Sequence, residues 1–252
     1  MKLFYLSPPQ RELFDLHQQC IGRGAAGTGK SLILMFKLLQ LSEEFDFRDI
    51  LVLAPFPHNL RIRNYLLSNN HMVEMINKFP HPSDHTTHLN NTRNIYIMTL
   101  EDFFHVDCDT LMSYDMSQYH LFVDDFQSLM LYRRDITTSF YDVGDFIDKW
   151  YESCRNHGRY LWVLMDVVQS NLTSDEECDG KFSYYLFLTH QHIPRTFNIP
   201  IVHLNHTMRN TTDIATLNNE YRDLYINHPD YNTSSHVLPT PSMGHNIGGQ
   251  VP

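Results

Sequence analysis

The chain has 252 residues, 42% of them hydrophobic and 13% aromatic, which is apolar surface enough for one large buried core and excludes a mini-protein or a disordered chain. Lys and Arg number 19 against 29 Asp and Glu, a net charge of −10 that excludes a general polyanion binder; any nucleic-acid site must be local, and Arg61 and Arg63 are its longest basic hint. Cys20, Cys108, Cys154 and Cys178 form no C-x-x-C pair, and no apolar run approaches the roughly 18 residues of a membrane span, so no disulfide framework, zinc knuckle or membrane anchor is expected and the location should be intracellular, cytoplasmic or nuclear.

In chain order, Gln10 to His17 reads as a short helix with Leu13 and Leu16 on one face, opened by Pro8-Pro9. Gln18-Gln19-Cys20-Ile21 is a poor apolar strand, expected to be short or deformed. After the glycine-rich stretch from Gly24 comes Ser31 to Leu41, where Leu32, Leu34, Met35, Leu38 and Leu39 recur at helical spacing. Four near-continuous apolar runs, 50–53, 95–98, 121–123 and 160–164, predict strands covered on both faces. Helices are expected over Asn59 to Leu67 and Val143 to His157, so strand and helix alternate as in a mostly parallel, three-layer α/β fold. A further run, 199–204, precedes a last helix from Thr212 to Tyr225, and 227–252 is rich in Pro, Gly, Ser, Asn and His, the composition of a flexible tail.

Chemistry enters with Gly24-Ala25-Ala26-Gly27-Thr28-Gly29-Lys30-Ser31, a complete match to G-x-x-x-x-G-K-[ST]. Glycines let the backbone curl so that successive N–H groups face phosphate oxygens, and the following helix adds its positive end. Lys30 is then expected on the β and γ phosphates of ATP and the Ser31 hydroxyl on Mg2+. The metal needs a carboxylate at a neighbouring strand end. His120-Leu121-Phe122-Val123-Asp124-Asp125 supplies two: Asp124 is assigned to the metal and Asp125 to the attacking water.

Asp124-Asp125-Phe126-Gln127 resembles motif II, D-E-x-Q, of superfamily 1 helicases, with Asp125 where Glu is usual and Gln127 in the nucleotide site. Leu6-Ser7-Pro8-Pro9-Gln10 resembles the adenine-reading Q motif, with Gln10 as the base-contacting amide. Val52-Leu53-Ala54-Pro55 with Asn59-Leu60 is similar to motif Ia, and Thr99-Leu100-Glu101-Asp102-Phe103 to the next strand-contacting motif. Met165-Asp166-Val167-Val168-Gln169 is similar to motif III, without its glycine, and Leu204 to Asn210 to motif IV. The resemblance implies that Gln169 and Arg209 approach the γ phosphate and that the partners include single-stranded RNA or DNA. Tyr141 to Phe146 and Leu161 to Asp166 look most like the Schlafen group.

That resemblance implies a RecA-like P-loop NTPase domain over 1–204, the start of a second motor domain or a closing helix over 205–226, and the tail. With the second motor domain largely missing, ATP hydrolysis is expected but not unwinding by this chain alone; the shorter acid at 125 would slow hydrolysis, which leaves a regulatory nucleotide-binding module as the alternative.

Three other clusters carry less. His81, Asp84, His85 and His88 sit in a Pro-rich polar loop and read as solvated, as does the run Asp175-Glu176-Glu177 with Asp179, which lacks calcium-loop spacing. No Ser lies in a G-x-S-x-G elbow, and Phe103-Phe104 and Tyr184-Tyr185 are assigned to core packing before base stacking.

Overall fold

The computed structural model describes residues 6–15, 18–25, 27–43, 49–71, 73–78, 94–105, 117, 119–128, 149–166 and 199–204. The elements are α1 (Pro8–Asp15), β1 (Gln19–Gly24), α2 (Lys30–Glu43), β2 (Asp49–Ala54), α3 (His58–Ser68), β3 (Val73–Ile76), β4 (Ile95–Thr99), α4 (Leu100–His105), β5 (Tyr119–Val123), β6 (Leu161–Met165) and β7 (Ile201–Leu204). Residues 149–156 form a further helix, α5.

All seven strands pair in parallel, in the order β3-β4-β2-β5-β6-β1-β7. From β1 the chain runs to β2 and β3 at one side of the sheet, then returns through β4, β5 and β6. Right-handed crossovers place the helices of the outward and return journeys on opposite faces. The packing agrees. Along the register Cys20, Trp162, Phe122, Val52 and Ile97 share one face, buried with Leu13 of α1, Ile33, Leu34, Leu38 and Leu41 of α2, and Ile62 and Leu66 of α3. The alternate residues Ile21, Val163, Leu121, Leu51 and Tyr96 are equally buried on the other face. Beyond that first-face cluster, Phe103 of α4 lies against Trp150 of α5, ring centroids 5.2 Å apart. Strands buried on both faces explain the near-continuous apolar runs. The result is a three-layer α/β domain built on an all-parallel sheet.

Two local details depart from the sequence pattern. The weak run from Gln19, expected to be short or deformed, is a six-residue strand between β6 and β7. Its glycine admits a close neighbour: a Cβ at Gly22 would come within 2.6 Å of Leu164 Cδ2 and 3.1 Å of Leu13 Cδ2, so α1 lies directly on the strand. In α2 the inward residues are Ile33, Leu34, Phe36, Lys37, Leu38 and Leu41, while Leu32 is exposed. Lys37 can be buried because its ammonium donates to Phe14 O (3.1 Å) and Gln40 Oε1 (3.1 Å) and sits 5.1 to 5.5 Å from the rings of Phe14, Tyr160 and Trp162. The short strand β3 and helix α4 carried no periodic signal. The predicted helix 212–225 and the tail lie outside the described residues. Among the described residues no helix is long and apolar enough to cross a membrane.

Candidate functional site

In an all-parallel sheet every strand ends at the same edge, and ligands of open α/β sheets bind there, where the chain reverses direction. That edge holds Gly24 at the end of β1, Asp124 just past β5 and Asp166 just past β6, the strand between them. Strand order thus brings together the two segments singled out by motif, with Asp166 inserted between.

The loop from Gly24 curls through left-handed backbone at Gly27 (φ 78°) and Gly29 (φ 89°), conformations that L side chains resist. Thr28 Oγ1 donates to Ala25 O (2.9 Å). The Lys30 ammonium, 7% exposed, donates to Gly24 O (2.7 Å) and Ala25 O (3.0 Å) and lies 3.7 Å from Asp166 Oδ2. It therefore caps the mouth of its own loop. Ser31 follows on the first turn of α2, and Ala26 lies outside the described residues.

Gln10 does something other than present a free amide. Its Oε1 accepts from Ser7 N (3.0 Å), the glutamine half of a capping box at the start of α1 in the S-x-x-Q pattern, and its Nε2 donates to Thr28 O (2.9 Å). A Cβ at Gly29 would come within 2.6 Å of that nitrogen, so the glycine also makes room for Gln10. Thr99 likewise serves a helix: its hydroxyl donates to Asp102 Oδ2 (2.6 Å) and accepts from Asp102 N (2.8 Å), capping α4.

At the acidic strand end the two carboxylates differ. Asp124 is 0% exposed, and burial followed by the charge of Asp125 pushes its carboxyl up to about 6. The Ser31 hydroxyl, His58 and Lys30 oppose this, yet neither carboxylate oxygen completes a hydrogen bond of normal geometry among the described residues. Asp125 adopts left-handed backbone (φ 51°), a conformation that costs a non-glycine residue about 1 kcal/mol or more. Burial raises its carboxyl, but the hydrogen bond from His58 and the charge of Lys30 outweigh that and hold it below the ordinary value. His58 Nδ1 stands 2.6 Å from Asp125 Oδ2, and Gln127 Nε2 donates to Asp125 Oδ1 (3.1 Å). Gln127 Oε1 in turn accepts from Asp166 N (2.9 Å), tying β5 to β6.

Of the residues assigned from sequence, Gly24, Ala25, Gly27, Thr28, Gly29, Lys30, Ser31, Asp124, Asp125, Gln127 and Gln10 all lie at this edge or hold it. Gln169, Arg209 and the clusters at 81–88, 175–179 and 184–185 lie outside the described residues. Phe103 is buried, as core packing requires. The reading from sequence passed over His58, which sits beside the assigned motif Ia residue Asn59, and gave Asp166 no role of its own; a carboxylate ending an apolar run was the available signal for the latter.

Neither a protein-family model nor a curated protein matches the sequence. The solved structure of the UvsW helicase from bacteriophage T4 aligns over 78% of this chain with a TM-score of 0.43 and 14% identity. The alignment covers 59% of that chain, and so slight a likeness carries no residue role across.

Proposed function

We propose that the chain binds ATP with magnesium in the loop from Gly24 to Ser31 and hydrolyses it. The observation that carries this reading is Asp124, whose two buried oxygens complete no hydrogen bond of normal geometry among the described residues, at the same sheet edge as the loop. An ionised carboxylate so placed costs several kcal/mol unless a cation compensates it. With the Ser31 hydroxyl facing it, the donor set is one hydroxyl and one carboxylate, which suits magnesium completed by phosphate oxygens and water. When bound, that ion neutralises charge on the β and γ phosphates. Lys30 then leaves the Gly24 and Ala25 carbonyls for the phosphates, and Asp125 orients the attacking water. Gln127 holds Asp125 in place, and by the motif resemblance Gln169 and Arg209 approach the γ phosphate.

The helicase-type reading adds a single-stranded RNA or DNA partner, supported by Phe56, 65% exposed beside the motif Ia segment with Leu60 and Arg61 also exposed. The Schlafen assignment rests on the sequence resemblance alone. A second reading, a nucleotide-binding regulatory module that does not hydrolyse, is favoured by Asp125, one methylene shorter than Glu. ATP turnover measured with and without single-stranded RNA or DNA separates the two. Stimulated turnover supports the helicase-type ATPase; tight binding without turnover selects the module.

A further inference from the structure

We propose that His58, the first residue of α3, is a positioning residue that fixes the Asp125 carboxylate for hydrolysis, an inference that rests on the ATPase reading of this site. The short acid at 125 has less reach than a glutamate and sits on left-handed backbone. A carboxylate so displaced can still serve if its orientation is fixed. Two side chains meet it at opposite oxygens: His58 Nδ1 makes a 2.6 Å ion-pair contact with Oδ2, outside normal hydrogen-bond geometry, and Gln127 Nε2 donates to Oδ1 at 3.1 Å.

The two holders differ in origin. Gln127 is three residues along from Asp124, in the same turn, whereas His58 comes from the helix after β2, the neighbouring strand. The side chain of His58 is 32% exposed against 13% for Asp125, so the imidazole is the more solvent-accessible of the pair. An ionised carboxylate offers about four acceptor positions; Gln127 fills one and His58 stands against the other oxygen, which leaves acceptor capacity for a water. Phosphoryl transfer to water asks for orientation more than basicity, so a fixed, ionised Asp125 suits it even though hydrogen bonding weakens it as a base.

The test compares wild type with His58→Ala, His58→Phe and His58→Asn, reading kcat and KM for ATP, nucleotide affinity and thermal melting. Asn places its Nδ2 the same number of bonds from the backbone as the imidazole Nδ1, so it restores the donor without the ring. Expected are a fall in kcat of tenfold or more for Ala and Phe, KM within about twofold, and recovery of at least half the loss with Asn. Phe preserves bulk and keeps the comparison usable should Ala melt early. Wild-type turnover with kcat unchanged in Phe overturns the positioning role alone, as does equal loss in Phe and Asn. A wild type that binds ATP without turning it over also overturns it and leaves the nucleotide site standing. A wild type that binds no ATP, indistinguishable from Lys30→Ala, overturns the site and this inference together.

Discussion

The phosphate-loop end of the sheet edge and its acidic end are built on opposite terms. Around the loop three polar side chains have partners within the chain: Lys30 on Gly24 O and Ala25 O, Thr28 on Ala25 O, Gln10 on Thr28 O. At β5 the buried carboxylate of Asp124 completes no hydrogen bond of normal geometry among the described residues. The loop can therefore keep its shape without a ligand, whereas the acidic end is strained until charge arrives. Were a nucleotide and a cation to bind there, the lysine would exchange good contacts for better ones, while the carboxylate would chiefly gain them.

The largest break in that contrast is Lys30→Ala. Removing the ammonium should weaken ATP binding by about 2 to 4 kcal/mol, tens to hundreds of fold by titration calorimetry. Unchanged affinity would remove the loop from consideration as the nucleotide site.

Next comes Asp124→Asn, which acts in the opposite direction on the metal-free protein. The carboxyl titrates near 6 when folded and near 3.8 when unfolded, so its contribution to stability is complete below pH about 4 and is lost as pH rises through 6. Between pH 4 and pH 7 the metal-free wild type should lose about 2 to 3 kcal/mol relative to Asp124→Asn, several degrees in melting temperature. Magnesium with ATP should stabilise wild type far more than the variant. Parallel pH profiles for the two proteins would show that Asp124 is not the strained group.

Gln127→Leu removes the strut between the two ends and leaves the Asp166 N–H without its acceptor. A loss of about 1 to 3 kcal/mol in urea-measured stability is expected, together with slower turnover. The smallest effect belongs to Gln10→Ala. If Gln10 acts through Thr28 O, affinity for ATP and GTP should fall alike, by about 1 kcal/mol; a loss confined to ATP would instead assign it to the adenine base.

Much of the fold could be read along the chain because strands buried on both faces leave continuous apolar runs, as at 50–53, 121–123 and 161–164. The glycine pattern and its lysine were equally legible, since φ values near +80° at Gly27 and Gly29 demand those residues locally. The strand from Gln19 was not. Its burial comes from β6, β7 and α1 closing around it, and Gly22 is there to admit Leu164 and Leu13 rather than to favour a strand. Helix α2 was found but turned: periodicity located the helix, yet two faces of it were apolar enough that composition could not choose between Leu32 and Ile33.

Local chemistry, then, was written in the sequence: which glycines let the loop curl, which apolar runs become strands, which strand ends in acids. Tertiary structure alone decided which of those acids would be left unpartnered and which would be held. Asp124 and Asp125 are neighbours of identical type; Gln127 reaches Asp125 from their own turn, but the approach of His58 from the helix after β2 and the tie from Gln127 to Asp166 just past β6 are set by strand order and not by that segment.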